Sequence, residues 1–578
     1  MKQAFNLFLP TTREEMNQLG WEACDVVLIS GDAYIDSPYI GVAVIGRILA
    51  KAGFRVGVIG QPDTDGPEAI SRLGEPLLFW GVSGGSVDSM VANYTAMKKK
   101  RRSDDFTPGG ENTKRPDRAV LVYTNLIRRY FKNTRPIVLG GIEASLRRVT
   151  HYDYWSNSLR KPVLFEAKAD ILLYGMAEGP VVALANALKK GEEWRGIGSL
   201  CYISKTPVEA YLQLPSHAEA AADKLKFIEL FSGFYHNNDP VTARGLCEPV
   251  DDRFLIQNPP APYLTDEDLD AVYELPFQRD AHPFHAKEGA IKALETIRFS
   301  VTTHQGCYGE CNFCAIAVHQ GRTIRSRSEA SIVGEVKSFA KHPKFKGIIS
   351  DVGGPTANMY GFECNKKIDK GICETKRCLF PVGCKVLKPT HKRQIDLLRR
   401  LRKESNIRKI FIASGIRYDL ILDDEQFGET YLKEVMEHHT SGQMKIAPEH
   451  ADDRVLKLMG KPGRASLIAF KARFDAINKR AAKKQFLTYY FIAAHPGCSD
   501  DEMSDLKRFS SGALGLNPEQ VQIFTPTPGT WSSTMYYTGL DPWTKKPLFV
   551  EKDNGKKEKQ KKILTAKECT RRRGWDEF

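Results

Sequence analysis

The chain has no run of 18 apolar residues, so no segment is expected to span a membrane. Its opening, MKQAFNLFLPTTREE, lacks the apolar core of a signal peptide, so a cytoplasmic protein is expected. No internal repeat is visible, which argues against a solenoid or propeller. Cysteine is scarce outside one region: of 12 in 578 residues, seven fall between positions 307 and 384. Cys24, Cys201, Cys247 and Cys569 are isolated and read as structural. In a reducing compartment this distribution argues against a disulfide framework and for metal binding in the crowded stretch. No paired acid and base stands out, so no catalytic side chain is named beyond the metal ligands.

What the sequence does hold is length and positive charge. Its 578 residues exceed one domain, and a hydrophobic share of 42% suffices for two or three cores. A net charge of +14 permits an acidic partner such as RNA. The charge concentrates in the run Lys98–Arg102, which opens a polar stretch to about Arg118. It concentrates again from Lys545 to Phe578, where 12 Lys/Arg stand against six Asp/Glu. A solvated loop and a solvated tail are the plainer readings of the two segments.

The first part, 1–235, reads as an α/β domain. Apolar runs followed by small residues recur at DVVLISG, RVGVIG, LLFWGVSGG, PIVLGG and DILLYGMAE, and SPYIGVAVIGRILAKAG has helical spacing. Strands alternating with helices predict a doubly wound parallel sheet, with ligands at the carboxyl ends of the strands. Gly140, Gly141 and Gly175 stand at such ends, as tight turns or as places of close cofactor approach. A Pro-rich connector, 236–289, is expected to be loops with one helix, Asp266–Tyr273, capped by Thr265. From 290 to 545 six further strand–helix units predict a partial parallel (β/α)6 barrel, interrupted by a Cys-rich insert at 360–390. A basic tail, 546–578, follows.

The first barrel strand runs into HQGCYGECNFCAI, where Cys307, Cys311 and Cys314 have the spacing C-x3-C-x2-C. Three thiolates can hold three irons of a [4Fe-4S] cube and leave the fourth open. A structural zinc is the alternative, with His304 or a remote residue as fourth ligand. In the insert, Cys364, Cys373, Cys378 and Cys384 follow the pattern C-x8-C-x4-C-x5-C. They suit a second metal, zinc or an auxiliary Fe–S cluster, with His391 a substitute ligand; reduced surface thiols are the plainer reading. Cys498, after His495, is a thiol at a strand end that could donate hydrogen to a radical, or a small turn residue. His151 and Tyr152 face either a shared cleft or the core.

The motifs from 290 to 545 together resemble the radical S-adenosylmethionine (SAM) superfamily. CYGECNFC carries Phe313, the aromatic that the resemblance places over the cluster near the adenine. Gly353-Gly354-Pro355 is similar to the glycine motif whose backbone meets the methionine amino group, with Pro355 where an acidic residue is common. Ser414 and Arg417 of ASGIR, and Glu449 of IAPEH, stand where the superfamily contacts the ribose and the methionine carboxylate. HPGCSDDE and TPTPGTWSSTMYYTG resemble the last strand ends of methylthiotransferases and cobalamin-dependent enzymes. With DAYIDSPYIGVAVIGRILAKAGFRVGVIGQP, LGGIEASLRR and HYDYW, the whole chain looks like the YgiQ-type radical SAM family.

The resemblance implies a [4Fe-4S] cluster, SAM, a flavodoxin- or ferredoxin-type electron donor and no membrane. It implies reductive cleavage of SAM to a 5′-deoxyadenosyl radical that abstracts hydrogen from an unidentified substrate. It also makes the N-terminal domain cobalamin-domain-like. Such domains often supply a lower-ligand histidine in D-x-H-x-x-G; here the segment is GDAYIDSPYIG, with no histidine, which argues against cobalamin although some relatives bind it without that ligand. An RNA-modifying methyl- or methylthiotransferase is the alternative enzyme. A zinc-stapled RNA-binding protein is the alternative without catalysis.

Overall fold

The computed structural model describes residues 8–374, 376–481, 484–518 and 521–566. Cys569 and the end of the basic tail lie outside them.

Nine strands form the N-terminal sheet: β1 (Val26–Ser30), β2 (Val56–Gly60), β3 (Phe79–Ser83), β4 (Ile137–Gly140), β5 (Ile171–Leu173), β6 (Leu200–Ser204), β7 (Leu212–Gln213), β8 (Leu246–Val250) and β9 (Arg253–Gln257). Their order is β7-β8-β9-β6-β5-β4-β3-β1-β2. From β2 to β5 every pairing is parallel. Order 2-1-3-4-5 is doubly wound, and the chain reverses direction across the sheet between β1 and β3. Both faces are covered, so β1 is buried along its whole length. Val26 and Leu28 pack under α1 (Gly41–Lys51) and α4 (Glu178–Lys190). Val27 and Ile29 pack on the other face with α2 (Ala119–Tyr130) and α3 (Gly141–Leu146).

Two features extend the expected parallel sheet. β5, β6, β9 and β8 pair antiparallel, so the sheet is mixed. The cause is local: β8 and β9 are joined by Asp251-Asp252, with Asp251 at φ 54°, and a two-residue hairpin admits only antiparallel strands. Part of the segment expected as loop, 236–289, is therefore sheet. Its helix Asp266–Tyr273 forms, with Thr265 as N-cap.

The second domain sets β10 (Ser300–Thr302), β11 (Asp351–Gly353), β12 (Lys409–Ile410), β13 (Gln443–Glu449), β14 (Phe486–Ala493) and β15 (Val521–Ile523) side by side. All run parallel in chain order, through Val301↔Val352, Ile349↔Ile410, Ile416↔Ile446, Ile446↔Tyr489 and Ile492↔Gln522. Their inward residues share one core with the flanking helices. The (β/α)6 expectation holds.

Of the two charged segments, the first keeps its expected solvated character and the second does not. Bridges Tyr94↔Lys100 and Ser103↔Glu111 fold the run at 98–102, although its side chains stay exposed. Within the basic tail, α5 (Asn554–Thr565) docks on the barrel and buries Lys557, Gln560 and Leu564. The reason is amphipathic spacing: these three lie on one helical face, and the remaining lysines cover the other.

Candidate functional site

The cysteine loop leaves the short pair His304–Gln305, which is hydrogen-bonded to Arg325–Ser326. Gly306 makes the turn at φ 82°, where a Cβ would stand 2.2 Å from the Thr323 carbonyl oxygen. The three thiols follow on one half-buried loop. Cys307 Sγ lies 3.4 Å from Thr356 Oγ1 and accepts from the Gly309 N–H at 3.3 Å. Arg417 Nη1 donates to Cys311 Sγ at 3.5 Å. Burial raises the Cys307 thiol, and burial with the neighbouring Cys311 pushes Cys314 up to about 12. Such thiols become thiolates readily only beside a cation, and a bound metal deprotonates its thiol ligands outright.

The residues expected to hold SAM surround this loop. Gly353, Gly354 and Pro355 close β11, and a Cβ on Gly354 would lie 2.5 Å from the His304 ring. Ser414 is committed to Asp351, which takes its hydroxyl and accepts from the backbone N–H of Ala413 at 2.8 Å. Arg417 is held in a bidentate pair by Asp419, leaving Nη1 for the cysteine loop. Glu449 ends β13 beyond a register shift, at φ 70°. Burial raises its carboxyl to about 7 against the opposing charges of Lys461 and Arg417. Phe313 packs against both domain cores and stands edge-on to His495 at 6.4 Å.

Sequence reasoning missed three supports of the loop. Asp351 and Thr356 flank the glycine motif that was read. Glu310, inside the loop, accepts from Tyr235 Oη at 3.3 Å and lies 3.7 Å from Arg322 and 3.8 Å from Lys367. It thereby ties the thiols to the N-terminal domain and the insert. Its signal was present as the one acid between Cys307 and Cys311, with no indication of its partners.

Between the domains lies a cavity of about 450 Å³. One wall is the carboxyl end of the N-terminal sheet: Ser30, Asp32, Ser83, Gly85, Gly140, Gly141 and Gly175. The opposite wall is the barrel: Thr302, His304, Gln305, Gly353, Gly354, Pro355 and Ser414. The His304 ring is wholly buried, with Nδ1 2.9 Å from Thr303 Oγ1. Glu178, at the start of α4, is buried and accepts from Gln305 at 3.4 Å, and burial raises it to about 7. A second cavity of about 430 Å³ shares Gly175, Glu178, Gln305, His319 and Gln320 with the first and opens past Pro260–Leu264.

The other expected residues lie elsewhere. Cys364, Cys378 and Cys384 border a small apolar nest of Tyr308, Ile324, Met359, Phe362, Leu379 and Leu420. Of these six only Phe362 and Leu379 lie in the insert, and Cys307 borders the same nest, so the insert packs on the cysteine loop and the barrel rather than on a core of its own. Among the described residues no three Cys, His, Asp or Glu converge as ligands of a single ion, in either cysteine set. A cube takes one thiolate per iron, so its ligands need not converge; a zinc staple needs convergence. Cys498 is buried in the barrel core, 3.5 Å from His450 Nε2, off the cavity wall. His151 is buried, and Tyr152 packs on the rings of Tyr536 and Tyr537. His391 is engaged by Asp424 and Asn358.

No helix among the described residues is long and apolar enough to cross a membrane. Residues 8–300 match the family described as Radical SAM N-terminal, 301–510 the Radical SAM superfamily, and 519–568 a domain of unknown function, DUF3362. A UPF0313 protein of Fusobacterium nucleatum is 62% identical over 98% of this chain and 100% of its own. Another, from Thermotoga maritima, is 46% identical over 97% of this chain and 99% of its own. In fold the chain is similar to TsrM of Kitasatospora setae, a radical SAM methyltransferase solved with cobalamin and a [4Fe-4S] cluster. That likeness has a TM-score of 0.51 at 14% identity, covering 88% of this chain and 77% of that one. The chain belongs to the UPF0313 family of the radical SAM superfamily.

Proposed function

We propose that this protein is an enzyme that cleaves SAM reductively at the cysteine loop and abstracts hydrogen from a substrate held between its two domains. A [4Fe-4S] cluster, when bound, supplies the electron that splits SAM into methionine and a 5′-deoxyadenosyl radical. Cys307, Cys311 and Cys314 hold it, and Arg417 offsets the negative charge of their sulfurs. Gly353 and Gly354 present bare backbone to the methionine, Ser414 and Glu449 flank it, and Phe313 shields the loop from water. The electron comes from a flavodoxin- or ferredoxin-type donor. The observation that carries this reading is the clustering of Thr356, Arg417 and Glu449 around three thiols from one strand end, beside the glycine motif of the next strand. The test is anaerobic reconstitution with iron and sulfide, then dithionite and SAM, with 5′-deoxyadenosine as readout. Formation by wild type and its loss in the Cys307/Cys311/Cys314→Ala triple variant is expected; equal formation by both would refute the site.

A second reading, methyl transfer through a corrinoid in the interdomain cavity, is favoured by the position of that cavity. It opens at the switch point of the sheet, between β1 and β3. Gly41 and Gly140 leave space there: a Cβ on Gly41 would meet nothing within 4 Å, and one on Gly140 only the Leu173 carbonyl at 3.8 Å. A bound corrinoid supplies a cobalt able to carry a methyl group. The methylthio version needs an auxiliary cluster in the insert, where only three of the four thiols border the nest.

A further inference from the structure

Three cavities lie in series beside the cysteine loop. The interdomain cavity shares Glu178, Gln305, His319 and Gln320 with the second cavity. The second shares Pro240, Pro262, Tyr263, Leu264 and Arg325 with a surface groove of about 600 Å³. Their walls carry a charge opposite to that of the chain. The chain as a whole has 84 Lys/Arg against 70 Asp/Glu. The three linings hold six carboxyls, Asp32, Glu178, Asp266, Glu267, Asp351 and Glu363, and one guanidinium, Arg325. A cleft lined by one sign of charge concentrates ligands of the other sign.

Most of these carboxyls already have partners. Asp32 pairs with Arg115 at 2.7 Å, Asp266 with Arg325 at 2.7 Å, and Glu363 lies 3.7 Å from Arg393. Asp351 is taken by Ser414 and the Ala413 N–H. Glu267 is exposed at the mouth of the groove. Glu178 differs from all of them. It is 5% exposed, begins α4 and lines both inner cavities. Its partners are the Gln305 amide at 3.4 Å and its own backbone N–H, and no cation among the described residues lies within ion-pair distance. On the same wall His319 Nδ1 is buried without a partner. A buried carboxylate without a cation is unfavourable, and a ligand that brings the cation relieves it.

Resting on the reading that a substrate is held between the two domains, we propose that this substrate is a small organic cation, bearing an ammonium or guanidinium group, that enters by the acidic groove and seats its charge on Glu178. The second cavity, about 430 Å³, has the size of a small-molecule site. From Glu178 the rest of the molecule extends past Gln305 into the interdomain cavity, toward Gly353, Gly354 and Ser414. The same carboxyls disfavour a polyanion such as RNA on this route.

The experiment titrates the full-length protein with three probes of similar shape and different charge: benzylamine, benzyl alcohol and benzoate. Calorimetry gives the affinities at pH 6 and pH 8. At pH 8 benzylamine is expected to bind at least about tenfold tighter than the other two, the worth of one charge-assisted hydrogen bond. Glu178→Gln should abolish that preference. Glu267→Gln should change it by less than about fivefold, as expected of an exposed charge. Benzylamine should also bind more tightly at pH 8 than at pH 6. Burial raises the Glu178 carboxyl to about 7, and the proton held there at lower pH competes with the amine. The groups around it keep their charge over that interval, since burial holds His304 and His319 neutral and the Tyr273 phenol protonated. Glu178→Gln should therefore lose the pH dependence as well.

Equal binding of the three probes, or no binding of benzylamine at millimolar concentration, would overturn the inference. A preference for benzoate would overturn it too, and would point to an anionic substrate such as RNA. Loss of the preference in Glu267→Gln but not in Glu178→Gln would place the cation in the outer groove and overturn the assignment to Glu178. A melting temperature of Glu178→Gln at pH 8 no lower than that of wild type certifies that the variant is folded. The 5′-deoxyadenosine assay on the cysteine variants uses none of these probes, so reductive cleavage stands or falls separately.

Discussion

Gly306 and Gly321 form a matched pair on which the geometry of the cysteine loop can be tested. Both have left-handed backbone, at φ 82° and 98°, and the Gly321 carbonyl accepts from the Cys307 N–H at 3.2 Å. Alanine at either position pays for its left-handed backbone with about 1–2 kcal/mol. They differ in what a Cβ would meet. At Gly321 there is nothing within 4 Å; at Gly306 the Thr323 carbonyl oxygen lies at 2.2 Å and its carbon at 3.0 Å. Backbone cannot swing aside as a side-chain tip can, so overpacking adds about 1–3 kcal/mol at Gly306 alone.

Gly306→Ala should therefore cost about 2–5 kcal/mol, and Gly321→Ala only the backbone share of about 1–2. The excess appears one residue before Cys307, so it also displaces the first thiol. Thermal midpoints and iron content after anaerobic reconstitution are to be measured together. The expected order is wild type, then Gly321→Ala, then Gly306→Ala in both, with 5′-deoxyadenosine formation following the iron. If Gly306→Ala melts with Gly321→Ala and keeps its iron, the loop does not pass as close to Thr323 as described, and the reasoning fails.

Lys557 is buried, donates to the Tyr154 and Tyr536 hydroxyls at 3.1 and 2.8 Å, and is lowered to about 8 by burial and by Lys98. A depressed lysine weakens the fold as pH falls through its folded pKa, so the cost is complete below about 8 and relieved toward the unfolded value near 10.5. Lys557→Met should raise neutral-pH stability by about 1–2 kcal/mol, once the two lost hydrogen bonds are set against the charge burial. It should also flatten the rise of thermal midpoint between pH 7 and 10; an unchanged slope would place the titration elsewhere. Glu178 has the opposite sign: burial raises it from 4.5 to about 7, so its contribution is lost as pH rises across that interval. Glu178→Gln should match wild type at pH 4 and exceed it at pH 8 by at most about 3 kcal/mol, compared by melting at both. Cys498→Ala should leave the 5′-deoxyadenosine rate unchanged at saturating SAM while costing about 1 kcal/mol, since the thiol is packed in the barrel core. A collapse of that rate in a folded variant would restore it as a hydrogen donor.

Both domains were legible in the sequence because their evidence is local. Runs such as DVVLISG and FLTYYFIAA report burial on both faces of a strand, and the intervening helices fix parallel pairing. The hairpin at 246–257 was not, because its strands, LCEPV and RFLIQ, are short and interrupted by proline and charge. Their sheet membership is decided by pairing to β6, about 50 residues away. The helix at 554–565 was hidden by composition: its lysine excess reads as solvent-facing, while the few residues that dock it are spaced one turn apart.

The site divides along the same line. Cysteine spacing and the glycine motif are properties of single loops and could be read directly. The network that aims them joins Glu310 to Tyr235, Arg417 to Cys311 and Asp351 to Ser414, and each of these pairs spans at least 60 residues. The cavity is less legible still, because neither wall encloses anything until the two sets of strand ends face each other. This also changes how the missing histidine is to be weighed. In sequence, Pro38 is only a deviation from a motif, and it argues against a cofactor. In space, Pro38 lines the cavity between the two sets of strand ends. The substitution there removes one potential ligand atom, whereas the volume and lining of the cavity come from both walls together, so the walls and not the motif govern what fits.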